Sequence, residues 1–264
     1  MKTITALTKR SIAIVALTCL AASAHAATLT FDFDSGFGPA FQTFSDQSLY
    51  TVNNTGGAVR IFKGADTPPV LNEFVGGGVR SNFNMVGDFT ATVDFTIHNM
   101  PFPGSNKLNE SVLSVASSAN PGDFALVLRF AESNQFVEGF TNAPLGLTPE
   151  STLTGRYRIL RTGSNFTGSY AVGNSATFNT LFSSIPITSE PNGLSLFGVQ
   201  GANVGTRSGT ALDISFDNLV VSAASFSGIT AAVPEPSTYA LMLGGLGLVG
   251  YVANRRRKSQ IPHA

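Results

Sequence analysis

The sequence predicts an all-β fold, an antiparallel β-sandwich, over residues 27–221. Three observations carry this. Apolar residues in the middle of the chain recur with period two, the repeat of a half-buried strand. Clusters of Gly, Pro, Asn and Ser punctuate these runs at short intervals. No stretch of this region sustains the 3.6-residue apolar spacing of an amphipathic helix, and at most Ala176–Phe182 makes a helical turn.

The predicted strands follow in chain order. Leu29–Phe33, Ser48–Val52 and Ala58–Phe62 open the domain. Asp88–His98 is the clearest: Phe89, Ala91, Val93, Phe95 and Ile97 alternate with Thr90, Thr92, Asp94, Thr96 and His98. Ser111–Val115 follows, then Asp123–Ala131, which sets Phe124, Leu126, Leu128 and Phe130 on one face. Gln135–Phe140, Arg156–Arg161, Phe166–Ala171 and Leu194–Val199 come next. In the closing strand Leu212, Ile214 and Phe216 oppose Asp213, Ser215 and Asp217. Turns are expected at Gly76-Gly77-Gly78, Pro101–Gly104, Asn120-Pro121-Gly122, Gly163-Ser164-Asn165 and Pro191-Asn192-Gly193. Residues 222–232 are mostly small and read as a linker.

A chain of 264 residues holds one such domain comfortably. Between residues 27 and 232 there are nine Lys/Arg against fifteen Asp/Glu. The other basic residues cluster near the two ends, so the folded part offers no basic stripe for nucleic acid. The lone cysteine, Cys19, precedes the domain, which excludes a disulfide within it.

Both ends read as addresses. Lys2, Lys9 and Arg10 precede an apolar run, Ser11–Ala22. Ala24-His25-Ala26 then places small residues at the last and third-last positions before a cut at Ala27. This is the order of a secretory signal peptide, residues 1–26, and it implies passage through a Sec translocon and cleavage by signal peptidase. At the other end, Pro234-Glu235-Pro236 is followed by an apolar segment, Tyr239–Ala253, and a basic cluster, Arg255, Arg256, Arg257 and Lys258. The prolines keep the motif extended. The apolar segment reads as a single short membrane helix with the basic cluster on the cytoplasmic side.

Residues 233–258 resemble the PEP-CTERM sorting signal in their three-part order of motif, Gly/Leu-rich helix and basic cluster. The resemblance implies transient anchoring in the inner membrane and processing by an exosortase near Pro234, Glu235 and Pro236. It implies a final place on the outer surface or in the extracellular matrix of a Gram-negative bacterium that makes exopolysaccharide. The middle of the chain carries a second, more diffuse resemblance. Arg156–Tyr170 reads RYRILRTGSNFTGSY, and the end of the domain reads DISFDNLVV from Asp213. This order looks like concanavalin A-like and laminin-G-like jelly rolls, which implies two antiparallel sheets and a concave face that often holds carbohydrate.

Catalytic constellations are sparse. His98 is the sole histidine between the two addresses and lies about 13 Å along its strand from Asp94, too far for direct contact. No Gly-x-Ser-x-Gly elbow occurs. Glycoside hydrolysis requires two carboxylates flanking one bond, and Glu132 and Glu138 read as separate loop or edge residues. Phe31-Asp32-Phe33-Asp34 and Asp213–Asn218 open and close the domain, with Phe residues on one side and Asp on the other. If these strands are neighbours, Asp34 and Asp217 are the candidate ligands of Ca²⁺, the one cofactor left open. A solvated acidic face is the alternative. Trp is absent, only Tyr50, Tyr157 and Tyr170 fall in the domain, and the phenylalanines read as core. Arg156 and Arg158 read as a basic strand face paired with nearby Asp or Glu in preference to an acidic-sugar site.

The expectation is therefore an exported, non-catalytic, lectin-like sandwich that binds exopolysaccharide or another matrix component. The alternative is a polysaccharide-active hydrolase or lyase of concanavalin-like fold. Processing is directly testable. Intact-mass measurement of the secreted protein is expected to give an N-terminus at Ala27 and no Arg255–Lys258 segment. Changing Pro234, Glu235 and Pro236 together to Ala is expected to leave the protein in the inner-membrane fraction.

Overall fold

The computed structural model describes residues 26–228, apart from 67–73, 118–119, 121–122, 142, 188, 190–192 and 203–207. The strands are β1 (Ala27–Phe31), β2 (Phe41–Ser45), β3 (Thr51–Thr55), β4 (Ala58–Lys63), β5 (Phe74–Ser81), β6 (Asn84–Asn99), β7 (Lys107–Ala116) and β8 (Phe124–Ala131). They continue as β9 (Gln135–Phe140), β10 (Pro144–Pro149), β11 (Thr154–Thr162), β12 (Asn165–Val172), β13 (Asn179–Pro186), β14 (Leu194–Ala202) and β15 (Leu212–Ser227). Two short 3-10 turns, Gly38–Ala40 and Asp46–Ser48, flank β2.

The strands form two antiparallel sheets, as the alternation predicts. Sheet A runs β13-β12-β11-β6-β15-β4-β3, with β1 also paired to β15. Sheet B runs β10-β9-β8-β7-β14-β5-β2. The first and last strands are neighbours, with Ala27 opposite Ala223 and Phe31 opposite Leu219. Ala27, where the mature chain is expected to start, is the first residue of β1.

The edge of β15 is shared. β4 pairs with it up to Phe216, and β1 takes over from Leu219. Between them the register to β6 shifts across Asp217–Val220. Asn218 adopts φ +50° there, and its amide donates to the Asp217 carboxylate at 2.6 Å. Asn tolerates this left-handed conformation because its short polar side chain bonds locally. The Phe-Asp-Asn sequence is thus a bulge at which one edge partner replaces another.

The sheets meet through side chains of one phase. Val93, Phe95, Ile97, Tyr157, Ile159, Ile214 and Phe216 of sheet A are buried toward Leu113, Val115, Val127, Val137, Leu194 and Leu196 of sheet B. Phe95 stacks on Tyr157 at 4.2 Å, and the Tyr157 hydroxyl reaches the Ser111 carbonyl at 3.3 Å across the interface.

Four sequence expectations change. Gly76-Gly77-Gly78 is not a turn but the middle of β5. A Cβ on Gly77 would lie 2.3 Å from Tyr50 Cβ, and one on Gly78 would lie 2.1 Å from the Leu196 carbonyl oxygen. The run is a site of close approach, which in isolation reads like a turn. Residues 179–182 of the expected helical turn lie in β13. β15 continues to Ser227, so residues 222–227 of the expected linker are strand, paired with β6 as far as Asn84. Small residues suffice there because the ladder is held by backbone hydrogen bonds. The fourth change concerns β8, whose Phe/Leu phase faces away from sheet A.

These close approaches are testable. Gly77→Ala is expected to destabilise the domain by about 1–3 kcal/mol through overpacking. Gly64→Ala, where a Cβ meets nothing within 4 Å, is expected to stay within about 0.5 kcal/mol. Urea melts of the two variants compare them directly.

Candidate functional site

In β8, Ala125, Val127, Arg129 and Ala131 point toward sheet A, because Arg129 is opposite Ser111, the residue that Tyr157 touches. Phe124, Leu126, Leu128 and Phe130 therefore project from the outer face of sheet B. Register carries this phase across the sheet. Phe130 is opposite Phe136 of β9, and Leu126 is opposite Phe140. The rings of Phe130 and Phe136 stack at 5.3 Å, and those of Phe124 and Phe140 at 6.0 Å. All four side chains are half-buried. Farther along, Phe197 of β14 lies 6.2 Å from Phe44 of β2. The phenylalanines assigned to core from sequence are here a surface, which tertiary pairing alone reveals.

The same face carries two glutamates. Glu110 of β7 stands between Phe130 and Val199 in register, and Glu138 of β9 is opposite Leu128. Burial pushes the Glu110 carboxyl up to about 7, and the charge of Glu138 adds to it. Burial also raises Glu138. Glu138 therefore belongs to the open face of a sheet and not to a loop. The sequence hides this pair because the two residues come from strands separated by β8.

Between β2, β5, β14 and β7 the face deepens into a cleft of about 540 Å³. Phe44, Phe74, Phe197 and Val199 wall it, with Phe74 53% exposed, and Gly76 leaves its floor low. Ser114, Ser195 and Arg80 line it from one cross-strand row. The Arg80 guanidinium lies 5.3 Å from the Phe44 ring centre. At the other end Asp46 accepts a hydrogen bond from the Gly76 amide at 2.8 Å.

The residues singled out by sequence lie mainly on sheet A. Asp217 is opposite Asp94, and the Asn218 side chain donates to the Asp94 carboxylate at 3.0 Å. Partial burial holds the Asp217 carboxyl above its ordinary range against the hydrogen bond from the Asn218 amide. The charges of Asp94, Asp34 and Asp32 add to the rise. Asp34 and Asp217 are thus within electrostatic reach of each other. Among the described residues no group of three His, Cys, Asp or Glu is disposed to hold a metal ion. Asp213 is taken by Arg60 in a two-point ion pair of 2.9 and 2.6 Å.

His98 is exposed and its Nε2 lies 3.0 Å from Ser215 Oγ. Arg156 and Arg158 do not pair with carboxylates among the described residues. Their guanidinium carbons lie 5.0 and 4.0 Å from the Phe178 ring centre, and Arg158 donates to Ser169 Oγ at 3.0 Å. Ala24 of the cleavage signal, the motif Pro234, Glu235, Pro236, the apolar segment 239–253 and the cluster Arg255–Lys258 lie outside the described residues. Among the described residues no helix is long and apolar enough to cross a membrane.

No curated protein matches the chain in sequence. Solved structures do match it in fold. A prokaryotic β-1,3-1,4-glucanase (lichenase) from a mouse hindgut metagenome aligns with TM-score 0.52 at 13% identity, over 75% of this chain and 100% of that one. The winged bean acidic lectin, complexed with methyl-α-D-galactose, aligns with TM-score 0.50 at 11% identity, over 75% and 98%. BlXynB, a GH43 protein from Bacillus licheniformis, aligns with TM-score 0.52 at 12% identity over 74% of this chain, which spans 39% of that protein's length. At such identities the likeness is one of fold, and it is to the lectin and glucanase type of β-sandwich. Residues 232–258 match the PEP-CTERM protein-sorting motif. The chain is thus an exported, exosortase-sorted protein, anchored transiently in the membrane before processing, whose folded domain is a two-sheet, lectin-type β-sandwich.

Proposed function

We propose that the exported domain binds polysaccharide, without catalysis, on the outer face of sheet B. The observation that carries this is the outward turn of the apolar phase of β8. It sets the Phe124–Phe140 pair toward one end of β8 and the Phe130–Phe136 pair toward the other, on the same sheet surface, with Leu126 and Leu128 between them. Aromatic faces stack on the C–H faces of sugar rings, and a half-exposed aromatic surface of this extent signals a ligand or partner. The sorting motif supports a site of action outside the inner membrane, where exopolysaccharide or another matrix component of a Gram-negative bacterium is at hand. Sec export and signal peptidase cleavage complete the route. Ca²⁺ at Asp34 and Asp217 remains part of this proposal as a structural ion, separate from the binding face.

A second reading has one observation behind it. Glu110 and Glu138 share the outer face, and a carboxyl raised to about 7 is suited to general-acid chemistry on a glycosidic bond. A polysaccharide-active enzyme would use them as its carboxylate pair.

The two readings separate experimentally. In a binding assay with the secreted protein and soluble polysaccharides, Phe130→Ala and Phe136→Ala are each expected to weaken binding about tenfold or more, a loss of about 1.4 kcal/mol. No new reducing ends or unsaturated products are expected during long incubations. Product release that disappears in Glu110→Gln would establish the enzymatic reading.

Glu110 also has a consequence for stability. Its folded value exceeds its unfolded one, so the folded state binds more protons and stability falls as pH rises from 4.5 through about 7. Glu110→Gln is expected to remove this loss. The variant should exceed wild type by about 1–3 kcal/mol at pH 8 and match it near pH 4. Thermal melts across that range check the sign.

A further inference from the structure

We infer that the cleft beside Phe44 and Phe197 is a subsite for an acidic sugar, a hexuronate unit, with Arg80 as the residue that takes its carboxylate. The inference rests on polysaccharide binding by the outer face of sheet B and names the chemical class.

Two adjacent cross-strand rows build the subsite. One row is aromatic: Phe197 is opposite Gly78, and Gly78 is opposite Phe44. A Cβ on Gly78 would fall 2.1 Å from the Leu196 carbonyl oxygen and 2.6 Å from Phe197 Cβ, so the glycine lets β14 approach closely at Phe197. The next row is polar: Ser114 is opposite Ser195, and Ser195 is opposite Arg80. Neighbouring strands are about 4.8 Å apart, so two hydroxyls and a guanidinium line up at a spacing comparable to the polar groups of one sugar ring. A pyranose lying on the aromatic row presents its edge to this polar row.

Charge selects the ligand. Arg80 is exposed, stacks on Phe44, and forms no ion pair among the described residues. Its planar fork suits a carboxylate in two-point contact, and the ring beneath it holds that plane in place. The hydroxyls of Ser114 and Ser195 make no hydrogen bond among the described residues, so they are available to a ligand. Asp46 is the acid of the cleft, and it sits at the Gly76 end. Gly76 and Arg80 are four strand positions apart, about 13 Å. The cleft is therefore polarised: an acidic group is attracted at the Arg80 end and repelled at the other, which orients a saccharide chain along β5.

The arginines weighed for acidic sugars from sequence, Arg156 and Arg158, do not compete for this role. They stack on Phe178 from β11, in sheet A. Glu110, on the same face in the row of Val199 and Gly76, is held largely protonated below neutrality by burial, which limits its repulsion of an anionic chain.

The test is titration calorimetry of the secreted, processed protein with trigalacturonate and with its neutral counterpart, galactotriose. Trigalacturonate is expected to bind at least tenfold more tightly, and added salt should erode that advantage. Arg80→Ala should bring the two ligands to parity, and Arg80→Lys should recover only part of the preference. Arg80→Gln, which keeps the side-chain bulk, should behave as Arg80→Ala and retain the wild-type melting temperature. Equal binding of both ligands by wild type, or a preference that survives Arg80→Ala, would overturn the acidic-sugar subsite and leave polysaccharide binding standing. If neither these ligands nor neutral polysaccharides bind, the reading beneath the inference falls as well.

Discussion

The phenol of Tyr157 spans the space between the two sheets, and the phase of nearly every strand follows from it. The ring is fully buried and stacks on Phe95, and its hydroxyl lies against the carbonyl and hydroxyl of Ser111. Successive strand residues point to opposite sides, so placing Tyr157 and Ser111 inward fixes one face of β11 and β6 in sheet A and of β7 in sheet B. Register then passes the phase from β7 to β8 and β9 on one side and to β14 and β5 on the other. A slip of one residue would exchange the inner and outer faces.

That phase has an energetic peculiarity. Near its centre the inner face of sheet B is polar: Asn109, Ser111, Arg129 and Gln200 are all completely buried. Gln200 donates to Asn109 at 3.0 Å and to the Thr210 carbonyl at 2.7 Å, and Asn109 donates to the Pro101 carbonyl at 2.8 Å. Arg129 donates to Gln135 at 2.5 Å through one nitrogen, while its other two nitrogens have no hydrogen-bond partner among the described residues. Burial lowers the affinity of this guanidinium for its proton. Buried polar groups are costly unless satisfied, and the opposite phase of β8 would have placed Phe124, Leu126, Leu128 and Phe130 inside. The phase that buries Arg129 and leaves Phe124 and Phe130 half-buried on the outer face is set by register with β7 and β9.

The closing strand links this scaffold to the chain's two ends. β15 carries β4 along its first half and β1 along its second, and the bulge at Asp217–Asn218 marks the exchange. At the bulge Asp217 is opposite Asp94 and feels the charge of Asp34 from the turn after β1. Asp34 is held there by local geometry: its amide donates to Asp32 at 3.1 Å, and its carboxylate lies where a side chain on Gly57 would stand. Gly56 and Gly57, with φ +63° and +79°, make the tight β3–β4 turn that leaves this room. The acidic side of the molecule is thus a product of turn geometry, and it lies on sheet A.

The sequence by itself determined the C-terminal sorting address, the all-β class and the most regular strands. Asp88–His98 is the clearest example, because period two and turn chemistry are local properties. That the first and last strands are neighbours was only a condition there, and the pairing of β1 with β15 decides it. The sequence could not decide which face of β8 turns inward, since alternation marks two faces without labelling the core. It could not separate the glycine run of β5 from a turn, because the reason for those glycines is Tyr50 and Leu196, distant in the chain. Nor could it join Glu110 to Glu138, or Ser114 to Ser195 and Arg80. Those groups meet only through register between strands remote in sequence, and register is set where the two sheets pack.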